Sequence, residues 1–250
     1  MKQIEDDLTN AYNKILKDRF ETDSVASWET LQSDSRIFIK KIHKYISDNP
    51  STIIHSFDSL RKDNIFIETS DDSLFRIYSW DTWLGGSMRD FENIFQFKAG
   101  DNVYSKFENE TKLDEEEYPI YKKFYSQIFT LKTNSKTYYL AIGNGIYSSK
   151  DVTQSVSVFT IEKDKLNDTI KLFKTKKELL NEIEVNYDFF SVADRPERPL
   201  RLIKYDPIEK ILYIPIVFEN GEVTERYILY QFKDKYFEVV KSPAKSTNLR

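Results

Sequence analysis

The sequence predicts a mainly β protein with an N-terminal α-hairpin, its strands gathered into three four-stranded antiparallel meanders, propeller-like or forming a curved sheet array. Three observations predict it. Apolar residues recur at helical spacing only within the first 50 residues. From residue 51 onward Phe, Tyr, Ile, Val and Thr alternate with polar residues at period 2. Turn signals then separate short strands at regular spacing. The chain accordingly divides into a helical hairpin over 1–50 and a β-rich domain over 51–250, with repeats near 64–107, 127–173 and 200–240.

In the first element, Ile4, Leu8, Ala11, Tyr12, Ile15, Leu16 and Phe20 share one helix face. Thr22, Asp23 and Ser24 offer a break and an N-cap. A second helix runs from about Val25 to Ser47, with Trp28, Leu31, Phe38, Ile39, Ile42, Tyr45 and Ile46 on its buried side. Asp48-Asn49-Pro50 stops it.

The first meander reads as strands at Asn64–Thr69, Leu74–Asp81, Phe91–Lys98 and Val103–Phe107. The second reads as Gln127–Lys132, Thr137–Ile142, Ser155–Glu162 and Thr169–Phe173, with a loop from Gly143 to Asp151. The third reads as Leu200–Tyr205, Ile211–Phe218, Val223–Phe232 and Tyr236–Val240, and its Asn220-Gly221 is a strong hairpin signal. Between the copies lie an acidic linker, Glu108–Glu117, a short helix expected over Lys174–Leu180, and the proline-stiffened connector Asp194–Pro199.

Composition excludes several classes. The 250 residues carry 37 Lys+Arg against 41 Asp+Glu, a net charge of −4, which lacks the basic footprint of a duplex nucleic-acid binder. With no Cys there are no disulfides, Cys metal ligands or Cys nucleophiles, and two His exclude a His-rich metal centre. No cofactor and no metal ligand set is expected. Apolar runs such as Ile211–Phe218 are far shorter than a membrane-spanning helix.

The most distinctive stretch is Tyr78-Ser79-Trp80-Asp81-Thr82 followed by Gly85-Gly86. A strand ending in Asp before a glycine loop places a carboxylate, an aromatic face and free N–H groups together, a pattern that suits a glycan or other small polar ligand. The structural alternative makes Asp81 a loop cap, Trp80 core, and Gly85 and Gly86 turn residues. Arg195 and Arg198 are a second candidate binding pair, able to grip an anion or to lock the connector between sheets.

Other motifs carry less. His55 suits a general base only beside an acid such as Asp81 or Asp194, and otherwise reads as a hydrogen-bonded structural residue. His43, among Lys40, Lys41 and Lys44, is expected to face solvent. Gly143-Asn144-Gly145 lacks the following helix of a dinucleotide site. Ser148 and Ser149 adjoin Lys150 without the i, i+3 spacing of a Ser–Lys pair, and Asp114–Glu117 reads as a solvated charge run.

The run from Ser70 through Phe97 with SWDT and GG, the DFFSV and DRPERP segments and YILYQF resemble a group of uncharacterised exported proteins of Bacteroidetes-type bacteria. The resemblance implies export to the periplasm or cell surface and transfers no catalytic residue. The opening MKQIEDDLTN is acidic where an export leader is basic and then apolar, which leaves a cytoplasmic setting open. Together these features predict a binding or interaction module of the cell envelope, taking an unknown protein or a small polar ligand. The alternatives are a carboxylate-dependent hydrolase or lyase built on Asp81, Asp194 and His55, and a structural partner that docks through its α-hairpin.

Overall fold

A computed structural model describes residues 1–19, 25–107 and 123–240. Phe20, the expected cap Thr22–Ser24 and the acidic linker with Asp114–Glu117 lie outside the described residues. Helices α1 (Lys2–Asp18) and α2 (Val25–Asp48) form on the expected apolar stripes, burying Leu8, Tyr12 and Ile15 against Leu31, Phe38 and Ile42. Asp7 ties them together, accepting from Lys41 Nζ at 2.7 Å and Tyr45 Oη at 2.8 Å. Trp28, expected on the buried side, is 39% exposed. Pro50 opens a 3-10 turn over Pro50–Ile53, and a short helix α3 (Asp58–Lys62) follows where no helix was expected.

The first sheet is the expected meander: β1 (Phe66–Thr69), β2 (Phe75–Asp81), β3 (Phe91–Ala99) and β4 (Asn102–Phe107), paired in that order and all antiparallel. The next strands are β5 (Phe124–Lys132), β6 (Thr137–Ile146) and β7 (Asp151–Glu162), with the short β8 (Lys165–Asn167) beside the end of β7. The expected loop after Ile142 is instead strand, because Gly143, Asn144 and Gly145 continue the ladder to β7.

Beyond β8 the chain departs from the expected plan. The strand at Thr169–Phe173 shrinks to β9 (Phe173–Lys174), and the helix over Lys174–Leu180 is a turn leading to β10 (Leu179–Leu180). Thr175 Oγ1 holds that turn, accepting from Glu178 N and donating to Glu178 O. An unexpected strand, β11 (Glu182–Asp188), returns to pair with β7. Leu200–Ile203 is buried connector, and only β12 (Lys204–Asp206) is strand there. The hairpin β13 (Ile211–Val217), β14 (Val223–Lys233) and β15 (Tyr236–Val240) follow as expected.

The result is a β-rich array of curved sheets with four, five and six strands, not three equal copies, and none closes into a barrel. The third sheet has the order β10-β9-β15-β14-β13-β12 and contains one parallel pair, β9 with β15.

Side-chain alternation stacks the sheets as layers. Tyr78, Trp80, Ile67 and Ile94 point from the first sheet to the helices. Phe75, Ile77, Phe95 and Phe97 point the other way and meet Tyr125, Tyr139, Ala141 and Phe159 of the central sheet. Leu140, Ile142, Val156 and Val158, on the opposite face of the central sheet, meet Leu212, Ile214, Tyr230 and Phe237 of the third. A strand covered on both faces reads as a continuous buried run, and Val152–Thr160 of β7 is buried throughout.

Several polar side chains inside the stack bond across layers, although Trp80 Nε1 and Thr130 Oγ1 are buried without a hydrogen-bond partner. Gln154 is fully buried and clamps the connector, donating to Leu200 O at 2.8 Å and accepting from Ile203 N at 2.7 Å. It also donates to Asn144 Oδ1 at 2.8 Å. Truncating Gln154 strands these groups, so Gln154→Ala is expected to cost about 2–4 kcal/mol in urea denaturation. Gln231→Ala, on the outer face of the third sheet, is expected to cost less than about 0.5 kcal/mol.

Candidate functional site

The sequence-predicted site divides. Tyr78 is wholly buried, with its hydroxyl 2.9 Å from Thr52 O and 3.1 Å from Gln96 Oε1. Trp80 is 1% exposed and meets Phe38 edge-on at 5.4 Å between ring centroids. Both belong to the helix–sheet core, and neither presents a face on which a sugar could stack.

Asp81 ends β2 and does hold the loop. Its Oδ1 accepts from Trp83 N at 2.8 Å, and its Oδ2 lies 3.5 Å from Arg89 Nη1. Trp83, which sequence reasoning passed over, is gripped by Arg19 and Arg89, whose guanidinium carbons lie 3.7 and 4.5 Å from its ring centroid. Its indole nitrogen donates to Tyr12 Oη at 3.4 Å. Gly85 is required because a Cβ would collide with the Met88 carbonyl, and Gly86 adopts φ +61°. The cluster fastens the 82–90 loop to α1, with both guanidiniums against Trp83 and that of Arg89 also beside Asp81.

Arg195 and Arg198 also act as locks. Arg195 donates to Glu225 Oε1 at 3.1 Å. Arg198 donates to the carbonyls of Ala193, Arg195 and Glu197, wrapping its own connector.

The hydrolytic constellation is not assembled. His55 Nε2 pairs with Glu5 Oε2 at 3.0 Å, and Glu5 Oε1 accepts from Ser59 N at the start of α3. Asp194 is exposed on the connector, and Asp81 has Trp83 and Arg89 as its partners. His43, expected in solvent, is half-buried with its ring edge-on to Phe107. Ser148 caps a turn with Asp151, so no Ser–Lys pair forms at Lys150. Among the described residues no group of three His, Cys, Asp or Glu is placed to hold a metal ion.

Asp81 and Glu68 carry the large upward displacements among the described carboxyls. Burial pushes Asp81 up to about 6 against the opposing Trp83 N–H and Arg89 charge, with Asp90 adding to the rise. Burial pushes Glu68 up to about 7 despite Arg61, Arg201 and Arg76.

The site that sequence reasoning missed lies along β11. A groove of about 660 Å3 runs beside Ile183–Asp188, over Ile214, Ile228 and Tyr230 of the third sheet. The Val158 N–H to Asn181 O bond sets the ladder alternation, so Ile183, Val185 and Tyr187 bond to β7. Glu182, Glu184, Asn186 and Asp188 therefore turn their backbone groups to the free edge. Asp188 N is taken by Gly221 O at 2.8 Å, which closes one end. Among the described residues the backbone N–H and C=O of Glu184 and Asn186 meet no partner.

Below this edge the third sheet is incompletely covered. Tyr230 faces the core, so Ile228 on the same strand and Val239, which pairs with Tyr230, share that face. Yet Ile228 is 41% and Val239 54% exposed. The only sequence signal for β11 was the alternation Ile183, Val185, Tyr187 after the turn, which ends beside the resemblance segment DFFSV.

Fold and groove together define a layered, mainly antiparallel β protein in which the β11 edge of the central sheet lies beside an exposed apolar part of the third sheet. No protein-family model, curated protein or solved structure matches the chain.

The Asp81 displacement has a readable consequence. Burial favours the neutral acid, so the folded state binds this proton more tightly than the unfolded state. The stability it lends is complete below about pH 4 and is lost as pH rises through about 6. Asp81→Asn keeps an oxygen for Trp83 N and removes the titration. Between pH 4 and 7 the wild type is expected to lose roughly 2 kcal/mol more than Asp81→Asn, read from urea midpoints at the two pH values.

Proposed function

We propose that the chain is a binding module that receives an extended polypeptide segment along β11, in the bacterial cell-envelope setting that the SWDT and DRPERP resemblance implies. One observation carries the reading. An edge strand whose N–H and C=O groups at Glu184 and Asn186 meet no partner among the described residues runs beside Ile228, an exposed apolar side chain on the floor of the same groove. A strand added there extends the central sheet by main-chain hydrogen bonds and buries that side chain at the same time. The propeller-like repetition expected from the sequence enters only as a common meander design, since strand numbers differ between the sheets.

An enzymatic reading has less behind it. Asp81, Asp194 and His55 have separate partners or surroundings, and the displaced carboxyls of Asp81 and Glu68 are explained by burial. The α-hairpin as a docking surface also has less support, because its apolar stripe is covered by the first sheet.

The edge is tested by removing one donor. Asn186 is exposed and its N–H faces outward, so proline is tolerated there as on natural edge strands. A phage-displayed library of random dodecapeptides is panned on the wild-type chain. Selected peptides are expected to protect amides 182–188 from hydrogen exchange and to bind Asn186→Pro at least about tenfold more weakly. Enriched peptides that bind both proteins equally, or protect another strand, overturn the reading.

A further inference from the structure

The chemistry of the segment follows from the two faces of β11, an argument that rests on the reading above. An added strand continues the face alternation of its neighbour. On one face lie Ile183, Val185 and Tyr187, which point toward the third sheet with Ile214, Ile228 and Tyr230. On the other face lie Glu182, Glu184 and Asn186, which share their side of the sheet with Ser157, Ser155 and Thr153.

The charge on that second face is one-sided. Lys123 is engaged by Glu182 at 2.5 Å and by Ser155 and Ser157 at 3.1 and 3.2 Å. Glu184 is exposed, and no cation of the described residues forms an ion pair with it. Around the groove stand Asp151, Asp188 and Glu219, against Lys150, the one cation among the described lining residues, which lies 3.6 Å from Asp188. Burial and neighbouring Glu182 raise the Glu184 carboxyl against the opposing charge of Lys123, and an incoming cation would add to that opposition.

We infer that β11 selects a segment in which aliphatic residues alternate with lysine or arginine, the aliphatic side chains seated over Ile214 and Ile228 and a basic side chain opposite Glu184. Opposite charges across a strand pair stabilise it, and like charges destabilise it. A second copy of this chain is the poorer occupant for that reason: pairing its own β11 there would bring a second Glu182–Glu184 row against the first. An acidic segment fails likewise. A uniformly apolar segment would fill the floor and leave Glu184 without a counter-charge.

Labelled octapeptides on the full chain, followed by fluorescence anisotropy, test this. The probes are alternating lysine–valine, alternating threonine–valine, alternating glutamate–valine, and a block peptide of four lysines then four valines. Lysine–valine is expected to bind about fivefold tighter than threonine–valine and far tighter than glutamate–valine. Glu184→Gln, at an exposed position, should remove about threefold of the lysine–valine affinity and leave threonine–valine unchanged. Protection of amides 182–188 reports docking independently of affinity.

Equal binding of lysine–valine and threonine–valine, both lost in Asn186→Pro, overturns the basic preference while the docking edge stands. Equal binding of the block peptide, or lysine–valine binding unaffected by Asn186→Pro, shows nonspecific attraction and overturns the inference. A concentration-dependent dimer that Asn186→Pro abolishes overturns it in favour of self-pairing. If no alternating peptide protects 182–188 while library peptides of another pattern do, the chemistry is wrong and the site is right. If neither does, the docking reading itself falls.

Discussion

The central sheet is buried on both faces, and this double coverage governs the rest of the molecule. Residues Val152–Thr160 of β7 and Tyr139–Gly145 of β6 have no solvent side. Odd positions of β6 such as Tyr139 and Ala141 pack on the first sheet, and even positions such as Leu140 and Ile142 pack on the third. Each buried aliphatic or aromatic side chain contributes about 1.5–3 kcal/mol of transfer free energy, and here both parities contribute. The cost is that no position on these strands can leave a polar group to water. Gln154, Asn144, Ser79 and Asn93 accordingly bond across or along the layers, Asn93 Nδ2 donating to Lys123 O at 2.8 Å and Ser79 Oγ accepting from Tyr125 N at 3.0 Å.

Stacking also explains where the fold is unfinished. A layer sandwiched between two others protects its interior strands but must end somewhere, and the central sheet ends at β11. The third sheet runs six strands across against four in the path of the central sheet, and its Ile214, Ile228 and Tyr230 line the groove beside that end. Its inner face therefore emerges at Ile228 and Val239, positions whose neighbours Tyr230 and Phe237 are buried. Edge strands in soluble proteins are commonly blunted by charge. Glu184 places such a charge on the β11 edge, and in the proposed docking the same carboxylate would favour a basic side chain opposite it.

The helices, the first meander and the last hairpin were legible in the sequence because each is specified by local signals. The stripe from Ile4 to Leu16, the turn Ser70–Ser73 and the Asn220-Gly221 hairpin need no distant partner to be read. The 165–203 region was not, because its conformation is set by which layer it reaches. Leu179-Leu180 has helical propensity but is drawn into pairing with β9, and Leu200–Ile203 alternates poorly because Gln154 already satisfies its backbone. Period-2 reasoning likewise placed Trp80 correctly opposite Ser79, yet alternation alone does not say that both sides of β2 are covered. That is why an apparent aromatic rim became core, while Trp83, one step beyond the strand, reached the surface.

Burial accounts for the displaced carboxyls without a ligand, and this separates perturbation from function. Asp81 and Glu68 sit where loops or strand edges are pressed against other layers, and their neighbours are groups of the same chain that hold local structure. Perturbed acidity marks a functional site only when the geometry leaves room for something else to respond to it. At Asp81 the space is filled by Trp83 and two guanidiniums. At β11 the geometry leaves room: Glu184 is exposed, and the unfilled elements are main-chain donors, main-chain acceptors and apolar sheet. Those three are the parts a missing strand would supply partners for, and among the described residues they occur together at the β11 edge of the central sheet, whereas β5 at the other edge packs against β1.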